Sequence, residues 1–122
     1  TYLAVHEGPI GIAPARARSA PLEEGHIESN EPGYYRRGRY GIRTENLMLV
    51  VRDRSLSKRG RRFLAFETLT LCPIDRRLID RRALCDAERL WVDDYHAEVW
   101  RRLEGRIDGS ARRWLRRATR PL

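Results

Sequence analysis

An arginine and a glutamate share one side of a predicted strand. Residues 42–52 are rich in β-branched and aliphatic side chains toward their end, which favours a strand. Because side chains alternate along a strand, Arg43, Glu45 and Leu47 lie on the same face. Leu47 and Leu49 are apolar, so we expect this face to point inward. The strand would then carry a positive and a negative group toward the interior.

Charges in an interior need a partner, because burial is costly unless the charge is paired or bound to a metal ion. Two interpretations therefore stay open: a structural Arg43–Glu45 pair at the margin of a sheet, or a functional site. A further carboxylate, Glu31, comes directly before Pro32-Gly33. Proline followed by glycine is typical of a type II turn, and we predict one there.

The histidines and cysteines give weaker signals. His6 lies in Val-His-Glu-Gly-Pro (residues 5–9), and a lone histidine is more often structural or exposed than functional. His96 follows a tyrosine in a predicted helix, so we expect a packing or surface role. Cys72 and Cys85 form neither a CxxC motif nor a Cys/His cluster, which excludes a zinc signature. We expect both to be free thiols.

Length and charge limit the class of protein. The chain has 122 residues, which fits one domain or a piece of one, and its 41% hydrophobic content is enough for a core. The longest apolar run, Leu47–Val51, is far shorter than the roughly 20 residues of a membrane helix. The net charge is +8 and Lys58 is the only lysine, but acidic residues are interleaved with the arginines. Nucleic-acid binding is therefore the weakest hypothesis.

Strands precede helices along the chain, which predicts an α+β fold. The predicted strands are residues 1–12 with a turn at Gly8-Pro9, residues 26–31, residues 42–52 and Phe63–Leu71. The last two are joined by a polar connection and should pair antiparallel. Residues 13–21 form a predicted loop, and Gly38 and Gly41 bracket a further turn.

Two helices are predicted at residues 86–105 and 110–119. The first carries a stripe of Trp91, Tyr95, Val99 and Leu103 that should be buried. Its start would be capped by Cys85 or Asp86 and its end by Gly105, while Ser110 would cap the second helix. Trp114 and Leu115 are the expected apolar anchors of the second helix.

Several blocks of the sequence resemble the Xaa-Pro aminopeptidases. They are Val-His-Glu-Gly-Pro (5–9), Ser-Asn-Glu-Pro-Gly-Tyr-Tyr (29–35), Tyr-Gly-Ile-Arg-Thr-Glu-Asn-Leu (40–47) and Phe-Glu-Thr-Leu-Thr-Leu-Cys-Pro-Ile-Asp-Arg-Arg-Leu-Ile-Asp (66–80), with Tyr95-His96 and residues 118–122 in addition. They cover nearly the whole chain in order. By this resemblance, residues 1–65 correspond to the C-terminal part of a catalytic domain with the pita-bread fold, and residues 66–122 to a C-terminal extension.

The resemblance also implies a site. The family binds two divalent metal ions, usually manganese, through two Asp, one His and two Glu. Glu31 and Glu45 match the two Glu ligands, and Glu31 would also shuttle a proton. His6 matches a histidine that steadies the tetrahedral intermediate, while Tyr35 and Arg43 would orient the site. The remaining three ligands would precede Thr1, so we expect this chain alone to be inactive.

The function implied is hydrolysis of the N-terminal peptide bond of peptides with proline second. The expected location is cytoplasmic, with a possible homodimer through the extension. The alternative is a metal-free relative of the same fold that binds peptides or proteins. Glu31 and Glu45 favour the enzyme, because a relative without metal needs neither carboxylate.

Overall fold

The computed structural model describes residues 10–12, 20–58 and 60–122. The chain divides into two compact parts: a sheet unit that runs to Thr70, and a helical unit at Leu71–Leu122. The predicted strand and turn at residues 1–12 lie mostly outside the described residues, as does most of the loop at residues 13–21. The predicted domain boundary after residue 65 falls within the last strand of the sheet unit.

Among its described residues, the sheet unit contains five short antiparallel strands: β1 (Ile27–Asn30), β2 (Gly33–Arg36), β3 (Tyr40–Arg43), β4 (Asn46–Arg52) and β5 (Leu64–Thr68). Three of them form one sheet in the order β1-β4-β5, while β2 and β3 form a hairpin. The predicted strand at residues 26–31 and the antiparallel pairing across the polar connection are confirmed. The predicted strand Phe63–Leu71 is shorter at both ends.

One register runs through both pairs of strands. In β1–β4 the partners run from Ile27–Leu49 to Asn30–Asn46, and in β2–β3 from Gly33–Arg43 to Arg36–Tyr40. In every partner pair the two residue numbers have the same sum, so both pairs belong to a single long hairpin with a gap in its pairing. The gap holds Glu31 opposite Glu45 and Pro32 opposite Thr44. It is bridged by the Thr44 amide, which donates to the carbonyl of Pro32 at 3.2 Å.

The predicted single strand at residues 42–52 is therefore wrong at Thr44 and Glu45, which separate β3 from β4. The opposing residues explain the interruption. Pro32 has no N–H to donate to a ladder, and the two glutamates opposite each other carry like charges. Strand propensity within one segment contains no information about the segment that faces it.

The predicted type II turn at Pro32-Gly33 is also wrong. Gly33 is the first residue of β2, and it lacks the positive φ that the third position of such a turn requires. Its small size has another use: a Cβ at Gly33 would lie 2.7 Å from the ring of Tyr35, and one at Gly41 would lie 2.6 Å from it. The turn between β2 and β3 instead uses Gly38, with φ of 70°.

The strand face that carries the charges is exposed in this chain, and its expected inward orientation stays a prediction for the complete fold. Leu47 is 46% exposed, and Arg43 and Glu45 are exposed as well. Val50 and Asn46, on the opposite face of β4, are buried instead. Both faces of β4 carry apolar residues, so the hydrophobic pattern alone does not reveal which face is covered.

The helical unit begins with an extended segment and a 3-10 turn at Arg76–Leu78, followed by α1 (Asp86–Leu103) and α2 (Gly109–Ala118). Cys85 caps α1, as predicted, and the Glu88 carboxylate accepts the Cys85 amide at 2.8 Å. The predicted cap at Ser110 is wrong, because Asp108 holds the extended position before α2. Helix α1 ends two residues before Gly105.

The core of the helical unit is formed by Tyr95, Val99 and Leu115. The predicted burial of the stripe on α1 is confirmed at Tyr95 and Val99. Trp91 is 53% exposed, and its ring is stacked on that of Tyr95 with 5.7 Å between the ring centroids. Trp114 is equally exposed, so only Leu115 anchors α2. The apolar stripe is broad enough to leave its outer aromatic residues on the surface.

His96 is fully buried, which shows that packing is the one of its two expected roles that it has. Its Nε2 accepts the Ile74 amide at 3.1 Å, so this nitrogen carries no proton. The neighbouring Tyr95 hydroxyl accepts the Cys72 amide and donates to the Cys72 carbonyl at 2.6 Å. Adjacent polar side chains of α1 thus fix residues 72–74. Among the described residues, no helix combines the length and the apolar character needed to cross a bilayer.

We predict that replacing Gly41 by Ala displaces the Tyr35 ring, because the added Cβ would overlap ring carbons. The ring lies over Gly33, so the Gly33 Hα resonances should be shifted upfield in the native chain and should lose this shift in the variant. NMR of the two proteins measures the change. Gly11→Ala is the control, since its Cβ would meet no atom within 4 Å. An unchanged Gly33 resonance in Gly41→Ala would contradict this packing.

We also predict that the helical unit loses stability as the pH falls below about 6.5, the ordinary histidine pKa. Burial lowers the pKa of His96, outweighing the opposing contribution of the Arg120 backbone. The unfolded chain therefore binds more protons in this range, and stability falls with pH. All three tryptophans lie in this unit, so their fluorescence in urea titrations at several pH values reports its unfolding.

His96→Gln is the matched variant for this measurement, because an amide oxygen can accept the Ile74 N–H without titrating. It should remove most of the pH dependence of the unfolding midpoint between pH 5 and 7. Each tenfold difference in proton affinity between the folded and the unfolded chain corresponds to roughly 1.4 kcal/mol of stability. Equal pH dependence in both proteins would show that His96 is not the group responsible.

Candidate metal-binding site

The gap in the long hairpin places two carboxylates opposite each other. Glu31 directly follows β1, and Glu45 directly precedes β4. Continuing the shared register across the gap pairs these two residues. Alternation then gives one face of the hairpin, here called the carboxylate face, formed by Ser29, Glu31, Gly33, Tyr35, Gly41, Arg43, Glu45 and Leu47.

Arg43 connects the two carboxylates. Its Nη1 donates to Glu31 Oε2 at 2.9 Å, and its Nε lies 3.4 Å from Glu45 Oε2. The side chain of Glu31 is 23% exposed, that of Glu45 40% and that of Arg43 47%. Ion pairs this open to water contribute about 0–1 kcal/mol each. Their main effect is therefore geometric: one guanidinium holds two acidic groups at the same end of the sheet.

Glu31 has a second donor. The Ser29 hydroxyl donates to Glu31 Oε1 at 2.9 Å, while Arg43 occupies Oε2. Ser29 and Glu31 are two residues apart and lie on the same face, so the contact is local. Each oxygen of this carboxylate therefore has a hydrogen-bond donor, which defines the plane of the group.

The donor chemistry fits a divalent metal ion in part. Carboxylate oxygens are preferred ligands of hard cations such as Mg²⁺, Ca²⁺ and Mn²⁺. A positive group, Arg43, already lies between the two carboxylates. However, the described residues contain no group of three or more His, Cys, Asp or Glu placed to hold a metal ion. Glu31 and Glu45 can thus supply part of a metal site, with other ligands from elsewhere.

The structure brings together three of the residues singled out from the sequence, Glu31, Arg43 and Glu45. Tyr35 shares their face, and its ring packs over Gly33. His6 lies outside the described residues. Sequence reasoning missed Ser29, although a hydroxyl two positions before a carboxylate at a strand end was a usable signal.

Comparison with known proteins accounts for nearly the whole chain. Residues 2–52 match the family model for metallopeptidase family M24, and residues 62–122 match the model for the C-terminal region of peptidase M24. The first match ends with β4, and the second begins two residues before β5. Both confirm the resemblance inferred from the sequence blocks.

Individual proteins longer than this chain are also similar to it in sequence. The chain is 43% identical to a probable Xaa-Pro aminopeptidase P of Paracoccidioides brasiliensis and 44% identical to one of Penicillium rubens, each across the whole chain. It spans about a fifth of the length of these relatives, 20% and 21%.

A solved structure also matches. The crystal structure of X-prolyl aminopeptidase from Caenorhabditis elegans, a cytosolic enzyme with a di-nuclear active site, superposes with a TM-score of 0.79 at 35% identity. The match covers 99% of this chain and 20% of that one. It confirms the α+β class and the C-terminal portion of a pita-bread fold. The chain therefore belongs to metallopeptidase family M24.

Proposed function

We propose that this chain is the C-terminal part of a metal-dependent Xaa-Pro aminopeptidase. The complete enzyme would hydrolyse the N-terminal peptide bond of peptides that carry proline in second position. The observation that carries the proposal is the pair Glu31 and Glu45, opposed across one hairpin and connected by Arg43. The names of the two fungal relatives and of the nematode structure support the substrate class.

The proposed cofactor is a pair of divalent metal ions, with manganese as the expected metal. Glu31 and Glu45 would be ligands, and the other ligands would come from residues outside the described part of the chain. Such ions, when bound, lower the pKa of a coordinated water and polarise the scissile carbonyl. Because two carboxylates are too few for this site, the 122-residue chain by itself would have no aminopeptidase activity.

Glu31 is also the proposed proton shuttle, because a carboxylate beside the proposed metal ions could accept and return a proton there. His6 would donate a hydrogen bond to the substrate carbonyl oxygen as negative charge develops on that atom. Arg43 would orient Glu31 and Glu45, as its contacts with both indicate. Tyr35 would form part of the same wall, since it lies on the carboxylate face beside Gly33.

Apolar side chains surround these polar groups. Ile27 and Leu47, on the carboxylate face and its extension along β1, are 59% and 46% exposed. We propose that the rest of the catalytic domain covers them in the complete protein. Exclusion of water would then strengthen the electrostatic interactions at the site.

The proposed partners beyond substrate concern the helical unit. Leu90 and Trp91 on α1 are 61% and 53% exposed, which is compatible with the proposed homodimer through this unit. Several of its arginines form ion pairs with its own carboxylates, including Arg101 with Glu98 and Arg112 with Glu104, and no nucleic-acid role is proposed. The proposed location is cytoplasmic, as in the nematode relative.

Replacing Glu45 by Gln in the complete protein should remove most of the bound metal and most of the activity. An amide keeps the size but loses the charge that faces the cations. The loss should exceed the roughly 10–100-fold effect typical of an outer-shell partner. Elemental analysis after loading with Mn²⁺ and an assay on a peptide with proline second measure both. Glu31→Gln should cost at least as much activity, because a shuttle is lost as well.

Glu28→Gln is the matched control. Glu28 lies in β1, three residues before Glu31, and pairs with Met48 of β4. Because side chains alternate along a strand, Glu28 lies on the face opposite to that of Glu31 and Glu45. This variant should keep its metal and its activity. Full metal occupancy in Glu45→Gln would overturn the ligand assignment.

A further inference from the structure

We propose that Ser29 is a positioning residue that sets the orientation of the Glu31 carboxylate for metal binding. This inference rests on the proposed function, because it concerns the same site. Its basis is the hydrogen bond from Ser29 Oγ to Glu31 Oε1, at 2.9 Å. Neither the resemblance nor the sequence pattern assigned a role to this serine.

Ser29 lies in the paired part of the hairpin. It is in β1, opposite Leu47 of β4, so its backbone is held by the ladder two positions before Glu31. A serine side chain has a single heavy-atom rotamer angle, and few positions of its hydroxyl are available once the backbone is fixed. The donor is therefore pre-organised, which is the property needed to hold a ligand in a productive orientation.

Arg43 is less suited to this task, although it also contacts Glu31. Its side chain is long, 47% exposed and shared with Glu45. It is also positively charged, so a cation that approaches the two carboxylates repels it and competes with it for Oε2. The Ser29 hydroxyl is neutral, and such an ion does not repel it through net charge.

The hydrogen bond from Ser29 is also compatible with metal coordination. A carboxylate offers about four lone pairs on its two oxygens, and the Ser29 hydroxyl donates one proton to one of them. The hydroxyl therefore leaves lone pairs on both oxygens that it does not use. Ser29 thus restrains the group without consuming its capacity to bind a metal ion.

The test compares Ser29→Thr with Ser29→Val in the complete protein. The two substitutions have the same branched shape and similar strand propensity, but only threonine keeps the hydroxyl. Mn²⁺ affinity is measured by titration of the metal-free protein, and kcat and KM are measured separately. Melting temperature shows whether each variant is folded, and Ser29→Ala provides a smaller variant without the hydroxyl.

We expect Ser29→Val and Ser29→Ala to bind Mn²⁺ roughly 10–100-fold more weakly, as for other outer-shell partners. The kcat of these two variants should fall together with their Mn²⁺ affinity, while KM changes little. The Ser29→Thr variant should keep nearly native Mn²⁺ affinity and kcat. Equal Mn²⁺ affinity and kcat in the Thr and Val variants would overturn the role of Ser29. If the Glu31→Gln variant also keeps native Mn²⁺ affinity, the proposed metal site itself is wrong. If the Glu31→Gln variant loses the metal, the metal site stands and only the proposed role of Ser29 is wrong.

Discussion

The structure of the proposed site depends on one register. A single antiparallel ladder runs from the Ile27–Leu49 pair to the Arg36–Tyr40 pair, and its only unpaired stretch within these described residues places Glu31 opposite Glu45. Two like charges in opposed positions destabilise a ladder. Strand pairing on both sides holds them there, and Arg43 supplies the compensating charge. A slip of one residue would send the carboxylates to opposite faces of the hairpin.

The local sequence around this gap follows from the same constraint. Pro32 cannot donate to the ladder, and the Thr44 amide bridges the gap by donating to the Pro32 carbonyl. Beyond the gap, Gly33 and Gly41 have no side chain, and the ring of Tyr35 occupies the space that a Cβ at either position would fill. The helical unit is held differently: buried Tyr95 and His96 fix a neighbouring extended segment by hydrogen bonds from and to its backbone.

Alternation along a strand was sufficient to predict that Arg43 and Glu45 lie together, and the resemblance added Glu31. The break between β3 and β4 was not predictable from the strand itself, because its cause is the residues opposite. Nor was the role of Gly33 predictable from its neighbours, since proline-glycine is a turn signal and the ring that needs its small size comes two residues later. Trp91 fitted the helical stripe, but periodicity specifies a side of the helix and not how far the core extends around it.

The most direct test of the account is a crystal structure of the complete protein loaded with Mn²⁺, with anomalous scattering measured at the manganese edge. The account predicts anomalous peaks in coordination contact with carboxylate oxygens of both Glu31 and Glu45, with the Ser29 hydroxyl still bonded to Glu31. Peaks that contact neither carboxylate, or a protein that binds no manganese while Arg43 keeps its bridge between them, would contradict it.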